Sequence, residues 1–408
     1  MISQPRNLAW VHSIVHQNAL RAVALCWLMG LTACAANRRP PITVPELERD
    51  AVTLRALDRT TRDSVIERLA RRALTRDDRT IDILMLSGGG QNGAFGTGFL
   101  RGWLSRSEAP MPRFDLVTGI STGALQGPYA LLGTKAALDS ITATYARAAT
   151  EIAPTVDWLF LFRRTGGLVN TKRFDRALEK TVDGQFRDQL RTALVQDRQF
   201  VFATTDFDLG VGRSWSLGET LDSTAAGLAR TQQLLKAATA IPGIFPPVMI
   251  DGHLHADGGV IANVLTLLSF EDYQRLATRL AALGVRDVKV RVWVVMNLWT
   301  FIDPKVIPAS NRSKIGARSN ALLFFSHQPE TLSALSNLSR AVSSQIPGVH
   351  MELRVAQLPA WFSTEPGANK LFDRQFMQRL DSLGYAKARS SAPWDSIPSA
   401  FARPARPQ

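Results

Sequence analysis

The sequence predicts an α/β fold built on a mostly parallel sheet with helices covering it. Three observations lead there. Short apolar runs of five to nine residues alternate with helical stretches from Ile81 onward, the pattern of strands joined by crossover helices. Two of those runs feed glycine-framed loops that in turn open helices. An apolar share of 45% against 20% charged is that of an ordinary globular chain and leaves enough side chain to fill such a core.

Taken in order, the body begins with a helical prelude over 46–78, charged and with leucines at helical spacing. Ile81–Leu86 is a strand that runs into Ser87-Gly88-Gly89-Gly90-Gln91-Asn92-Gly93 and a helix ending near Trp103. Phe114–Thr118 is a second strand, followed by Gly119-Ile120-Ser121-Thr122-Gly123 and a helix to about Leu132. Gln199–Thr204 is a third, and Val288–Met296 is long and β-branched. Between them, Met249–Leu254 reads as a hairpin, because Asp251-Gly252 suits a type I′ turn. Helices are expected over 333–344 and 370–387, within a helical extension spanning 301–389 that packs on the domain. Prolines 393, 398, 404 and 407 make 390–408 a wrapping or loose tail. The chain has no internal repeat.

The first 33 residues read as an address. Arg6 and Arg21 are positive, no acid precedes Cys34, and Ala22–Leu31 is apolar but short for a bilayer span. Leu31-Thr32-Ala33-Cys34 resembles the lipobox of bacterial lipoproteins. That resemblance implies cleavage after residue 33, a lipid on Cys34, a tether over 34–45, and an outer-membrane envelope location, since Ala35 carries no retention signal. Cys26 and Cys34 are the only cysteines, so no disulfide or thiolate metal site is expected in the mature chain. The net charge of +13 is compatible with a solvated basic surface or with affinity for anionic lipid. Arg71, Arg72 and Arg76 exemplify it, and no run is long enough for a nucleic-acid arm. Trp158-Leu159-Phe160-Leu161-Phe162-Arg163-Arg164 is read as core, with an apolar wall admitting acyl chains as the other reading.

The chemistry centres on Ser121. A serine framed by glycines at a strand-to-helix turn is a nucleophile elbow, and a glycine loop supplies N–H groups for an oxyanion. The serine needs a base. Outside the signal the histidines are His253, His255, His327 and His350, none in a glycine-framed loop. Asp257 is so framed, in Asp257-Gly258-Gly259, and a dry carboxylate can act as base directly. Two alternatives stay open. Ser121 with Asp206 and His327 or His350 would make an α/β-hydrolase triad. Gly88, Gly90 and Gly93 also satisfy a dinucleotide fingerprint, for a nucleotide- or lipid-binding protein without turnover, although Asp115 opens its strand where that motif wants a closing acid. His253 and His255 read as surface or packing residues, and Asp206 with Asp208 as loop caps in preference to a cation site.

Three motifs in order, Gly88–Gly93, Gly119–Gly123 and Asp257–Gly259, resemble the patatin-like phospholipases, as does the proline-rich stretch Ala238–Pro247. The resemblance implies a patatin-like three-layer α/β/α domain over 79–300, with its core motifs in 81–263. It implies a serine hydrolase of lipid esters with Ser121 as nucleophile, Asp257 as base, and the Gly88, Gly89 and Gly90 N–H groups as oxyanion hole. No cofactor and no metal are implied, and the partner is a phospholipid or other acyl lipid. Asn92 stands where the family commonly carries a basic residue, so the resemblance carries no phosphate-steering role over to that position, while the backbone oxyanion hole is unaffected.

Overall fold

A computed structural model describes residues 39, 41–153, 155–156, 166–302 and 304–397. The predicted signal peptide, Cys34 and the run Trp158–Arg164 lie outside the described residues, as does 398–408 of the tail.

Helix α1 (Val44–Thr75) starts at a capping box in which Glu46 and Thr43 satisfy each other's groups, with Pro45 in its first turn. It covers most of the stretch 46–78 read as a helical prelude. Strand β1 (Thr80–Leu86) is buried along its whole length, because helices cover both faces of the sheet. Its side chains alternate accordingly. Leu84 and Leu86 point into one core, with Phe95, Phe99 and Leu131. Ile81, Ile83 and Met85 point into the other, with Leu69, Leu276 and Leu332. The first core lies under α2 (Gly93–Leu104), α3 (Thr122–Leu132) and α4 (Lys135–Glu151), and the second under α1. This is the three-layer α/β/α arrangement.

Strand β2 (Leu116–Ile120) pairs with β1 in parallel, and a two-residue pair, β3 (Thr155–Val156) and β4 (Val169–Asn170), stands apart from the main sheet. Helices α5 (Lys172–Thr181) and α6 (Gly184–Val195) lead to β5 (Gln199–Asp206), β6 (Val211–Ser216), the short α7 (Leu217–Thr220) and α8 (Ala225–Ala238). The hairpin β7 (Val248–Ile250) and β8 (His253–Asp257) turns at Asp251 and Gly252, whose φ of 51° and 87° are the left-handed pair that a type I′ turn requires. Then follow α9 (Phe270–Ala282), β9 (Val288–Met296), α10 (Arg312–Gln345), β10 (Val349–Gln357) and α11 (Arg374–Arg389). The sheet order is β10-β9-β1-β2-β5-β8-β7, with β6 beside β5. Pairings from β10 to β5 are parallel, and those of β6, β7 and β8 antiparallel.

Two expectations are corrected. The extension 301–389 is not wholly helical, since it contributes β10 to the edge of the main sheet in register with β9. The alternation of Val349, Met351 and Val355 buries one face of that strand, a period-2 signal inside a stretch read as helix. Arg71, Arg72 and Arg76 do not form a free basic face either. They pair with Asp197 at 2.7 Å, Asp115 at 2.8 Å and Asp82 at 2.9 Å, and so fasten α1 to the start of the sheet. The tail wraps as far as it is described. Trp394 packs among Phe99, Trp103 and Trp293, and Asp395 bridges to Val355. No helix of the described residues is long and apolar enough to cross a membrane.

Candidate active site

Parallel pairing puts the C-terminal ends of β1 and β2 on one edge, and both glycine-framed loops leave from it. Ser121 sits between β2 and α3 with φ 51° and ψ −119°, a conformation that L residues rarely adopt. The flanking glycines are there for space. A Cβ on Gly119 would stand 2.4 Å from the Gly123 carbonyl oxygen, and one on Gly123 would stand 2.2 Å from that of Leu86. The turn therefore closes only without side chains on either flank, and it presses the start of α3 onto the end of β1. Ser121 itself is buried, at 7% exposure.

The glycine loop lies against the serine. A Cβ on Gly88 would come within 3.1 Å of the Ser121 Cβ, and one on Gly89 within 2.2 Å of the Asn297 carbonyl oxygen. Of the three predicted oxyanion donors, one is already committed: the Gly88 N–H donates to the Asn263 carbonyl at 3.1 Å. No acceptor among the described residues takes the Gly89 or Gly90 N–H. Gly90 has φ 56°, and open space surrounds its missing Cβ. Asn297 anchors the loop from below. Its N–H donates to Ser87 Oγ at 2.7 Å, and its Nδ2 to the Ser87 carbonyl and to Gln126 Oε1, both at 2.9 Å. Gln126 in turn donates to the Gly93 carbonyl. Asn92 is buried and its Oδ1 has no partner among the described residues.

Asp257 ends β8, whose antiparallel register with β5 sets it opposite Thr204. The following Gly258 has no room for a Cβ, which would lie 2.6 Å from the Ala203 carbonyl oxygen and 3.1 Å from Ile120 Cδ1. That close approach brings Asp257 to the residue preceding Ser121. Asp257 Oδ1 accepts the Gly259 N–H at 2.8 Å. Its Oδ2 is buried without a hydrogen bond of regular geometry. Burial pushes the carboxyl up to about 6 from the usual 3.8, opposed by the nearby Ser121 hydroxyl and the Gly259 N–H. A carboxylate in this state has a free lone pair facing a serine and a pKa fit for accepting its proton near neutral pH.

An apolar cleft enclosing about 70 Å³ opens at Ser121, Thr122 and Gly90. Leu125, Tyr145, Phe174 and Phe245 are among its walls. A second cavity of about 40 Å³ shares Leu125, Ile141, Thr144, Ile152 and Phe174 with it and continues past Ala177 to Tyr129 and Phe186. Thr122, Leu125 and Tyr129 line this path at helical spacing along α3. The Thr122 hydroxyl bonds the Tyr145 hydroxyl at the cleft's head.

The other sequence-predicted candidates fall elsewhere. His327 is 72% exposed beside Glu330, and His350 is exposed at the start of β10, the opposite end of the strands. Asp206 accepts from His253 Nδ1 at 2.8 Å and from the Asp208 and Leu209 N–H groups. No described contact brings these three to Ser121, so the triad is not assembled. His253 and His255 are buried packing residues and do not lie on the surface. Burial holds His255 down at about 4. For His253 burial is outweighed by Asp206 and Asp50, and its pKa is raised. Asp206 caps its turn, Asp208 holds Arg39 at 2.6 Å and the Leu254 N–H at 2.7 Å, and ligand-type atoms of Asp206, Asp208 and His253 lie within 4.8 Å of one another, a set able to hold a cation. Asp115 is buried under Arg72 and Arg76 at the strand starts, which leaves the dinucleotide fingerprint without its acid.

Asn263, Asn297 and Gln126 escaped the sequence reading. Each is a lone amide after or within an apolar element, and only the fold brings them to the glycine loop.

Residues 84–268 match the family model described as patatin-like phospholipase. That span holds both glycine-framed loops and Asp257, whereas β9, α10, β10 and α11 lie beyond it. No curated protein matches the chain. Among solved structures, that of VipD from Legionella pneumophila is similar at 13% identity, over 74% of this chain and 67% of VipD, with a TM-score of 0.31.

Proposed function

We propose that this chain, which carries a patatin-like phospholipase domain over residues 84–268, hydrolyses the carboxylic esters of lipids with a Ser121–Asp257 dyad. The observation that carries the reading is the buried, unpartnered Oδ2 of Asp257 beside a serine on a strained turn at the head of an apolar cleft. Family membership of the domain supports a lipid acyl hydrolase in general. The buried Oδ2 of Asp257 and the uncommitted N–H groups of Gly89 and Gly90 support the division of labour that follows.

Asp257 takes the proton from Ser121 Oγ as that oxygen attacks the ester carbonyl carbon. The carbonyl π electrons move onto oxygen, and the Gly89 and Gly90 N–H groups receive the oxyanion. Gly88 is outside this set because its N–H is bonded to Asn263. Collapse of the intermediate breaks the ester C–O bond, and the proton on Asp257 passes to the leaving alkoxide. A water then attacks the acyl carbon, again giving its proton to Asp257; collapse breaks the Ser121 Oγ–acyl bond, Asp257 returns that proton to Oγ, and the carboxylic acid leaves. The acyl chain lies in the cleft along α3, whose apolar walls gain by covering it. Before catalysis, cleavage after residue 33 and acylation of Cys34 would hold the enzyme at the outer membrane beside phospholipid. Incorporation of labelled fatty acid into the wild type but not into Cys34→Ala tests that anchoring.

The dyad is tested with p-nitrophenyl esters on three variants. Ser121→Ala should be inactive, Asp257→Asn should lose about 10²–10⁴-fold in rate, and His327→Ala should retain activity. Retained turnover in Asp257→Asn, or loss in His327→Ala, would overturn the assignment.

A further inference from the structure

Helix α10 is packed on the body over its C-terminal half and exposed along its first turns. It runs opposite to β10, with Ser339 and Ser343 bonded to the Met351 carbonyl near the start of that strand. Buried Gln328 receives the Asn263 amide at 2.9 Å, level with the glycine loop whose Gly88 the same asparagine holds. Pro329 follows at once inside the helix. Phe325 still packs against the core, whereas residues 312–317 are exposed, so it is the N-terminal turns of the helix that stand uncovered on this side.

The composition of this arm is one-sided. From Pro304 to Pro329 there is no aspartate or glutamate, while Lys305, Arg312, Lys314 and Arg318 are cationic. Lys305, Arg312 and Lys314 are exposed and meet no acid among the described residues. Residues 312–317 are all exposed, and Ile315 and Leu322, seven apart and so on one helix face, stand 40% and 46% exposed. Val306 just before the helix is 95% exposed. Next to the dyad itself, Val260 and Ile261 also face solvent. Cations without acids, interleaved with uncovered aliphatics, complement an anionic and partly apolar surface.

We propose that the arm of α10 docks the protein on an anionic lipid bilayer, Ile315 and Leu322 entering the interface and the three lysine and arginine side chains meeting the headgroups. This sets the cleft mouth at the membrane and names the source of the substrate, and in that sense it rests on the reading above. Binding needs no turnover, however, so the two fail separately. A protein partner on the same arm would need acidic or apolar complementarity of its own and is an outcome of the test.

The experiment is co-sedimentation of the full chain bearing Cys34→Ala with vesicles of neutral phosphatidylcholine alone or with phosphatidylglycerol. Neutral vesicles report whatever the N-terminal apolar stretch contributes. Expected is much stronger binding to the anionic vesicles, about fivefold weaker for each cation removed and roughly a hundredfold weaker in the triple variant Lys305→Gln, Arg312→Gln, Lys314→Gln. Ile315→Asn with Leu322→Asn should also weaken it at least tenfold, with unchanged melting temperatures because all five side chains are exposed. Equal binding to both vesicles, binding to neither, or undiminished binding by the triple variant would refute the arm as a bilayer dock and leave a protein surface as its occupant.

Discussion

Replacing Asp257 with asparagine should slow turnover by about 10²–10⁴-fold yet stabilise the fold, and the stabilisation should depend on pH. The carboxyl is almost fully buried, at 5% exposure, and burial raises it from 3.8 to about 6. At about 1.36 kcal/mol per pKa unit, the ionised folded protein is some 3 kcal/mol less stable than it would be with a neutral group there. Asparagine fills the same volume. Its Oδ1 keeps the Gly259 N–H, and its Nδ2 takes the place of the unpartnered Oδ2 and donates to Ser121 Oγ. Nothing is orphaned by the change.

The sign follows from which state binds the proton more tightly. Here the folded state does, so wild-type stability attributable to this group is present at low pH and is lost as pH rises through about 6. Above that pH both states are ionised and the variant leads by about 3 kcal/mol. Between about 6 and 3.8 the folded wild type takes up its proton while the unfolded chain has not, so the gap narrows through this window and is closed below 3.8. Urea denaturation of the two proteins at pH 8, 5 and 3.5 reads this directly, since titrations common to both cancel in the difference. A variant less stable than wild type at pH 8, or a gap that does not change with pH, would refute the buried-carboxylate account. On the proposed dyad the same group should set the acid limb of kcat/KM in the wild type, with activity falling below about pH 6 as the base becomes protonated.

Two further predictions concern the loop and the cleft. Gly89→Ala places a Cβ 2.2 Å from the Asn297 carbonyl oxygen, so it should cost at least 1–3 kcal/mol of stability and remove esterase activity. Gly90→Ala meets nothing within 4 Å but keeps a φ of 56°, so it should cost only about 1 kcal/mol and retain measurable turnover. Melting temperatures and kcat for the pair decide whether steric room or conformation governs each position. Ala177→Phe fills the far cavity. It should depress kcat/KM for p-nitrophenyl decanoate about tenfold while leaving the butyrate within twofold, and equal effects on both esters would place the acyl chain elsewhere.

Much of the fold was legible because its signals are local. The strands at Ile81, Phe114, Gln199 and Val288 are each an apolar run bounded by turn chemistry, and a buried parallel strand reads that way. Asp251-Gly252 announced its hairpin through two left-handed residues. Strand β10 was missed because its neighbours are helices and its outward residues, such as His350 and Glu352, break the apolar run. Its partner β9 is more than fifty residues earlier in the chain, and only that pairing makes 349–357 a strand. The site divides in the same way. Ser121 and Asp257 are marked by the glycines their turns require, whereas the commitment of the Gly88 N–H to Asn263 is a long-range bond with no local trace.

That division explains why the site can be built from conformations that are unfavourable alone. A serine at φ 51° carries an expected cost of about 1–3 kcal/mol, and the ionised Asp257 carries a similar one. Neither residue relaxes, because each is held by elements whose own stability comes from elsewhere. Ala124, Ala130 and Leu131 of α3 are fully buried in one core, so the helix cannot withdraw to relieve the elbow. Thr205 Oγ1 donates to the Asp257 carbonyl, and the Asp257 N–H donates to the Ala240 carbonyl, so β8 cannot lift the carboxyl toward water. Asn297 fixes the glycine loop from just past the end of β9, a strand outside the span that carries the motifs. The glycines supply room for the strained arrangement, and the sheet and its two cores hold it there. A chain truncated after residue 268 would keep every motif residue and lose the strand that anchors the loop.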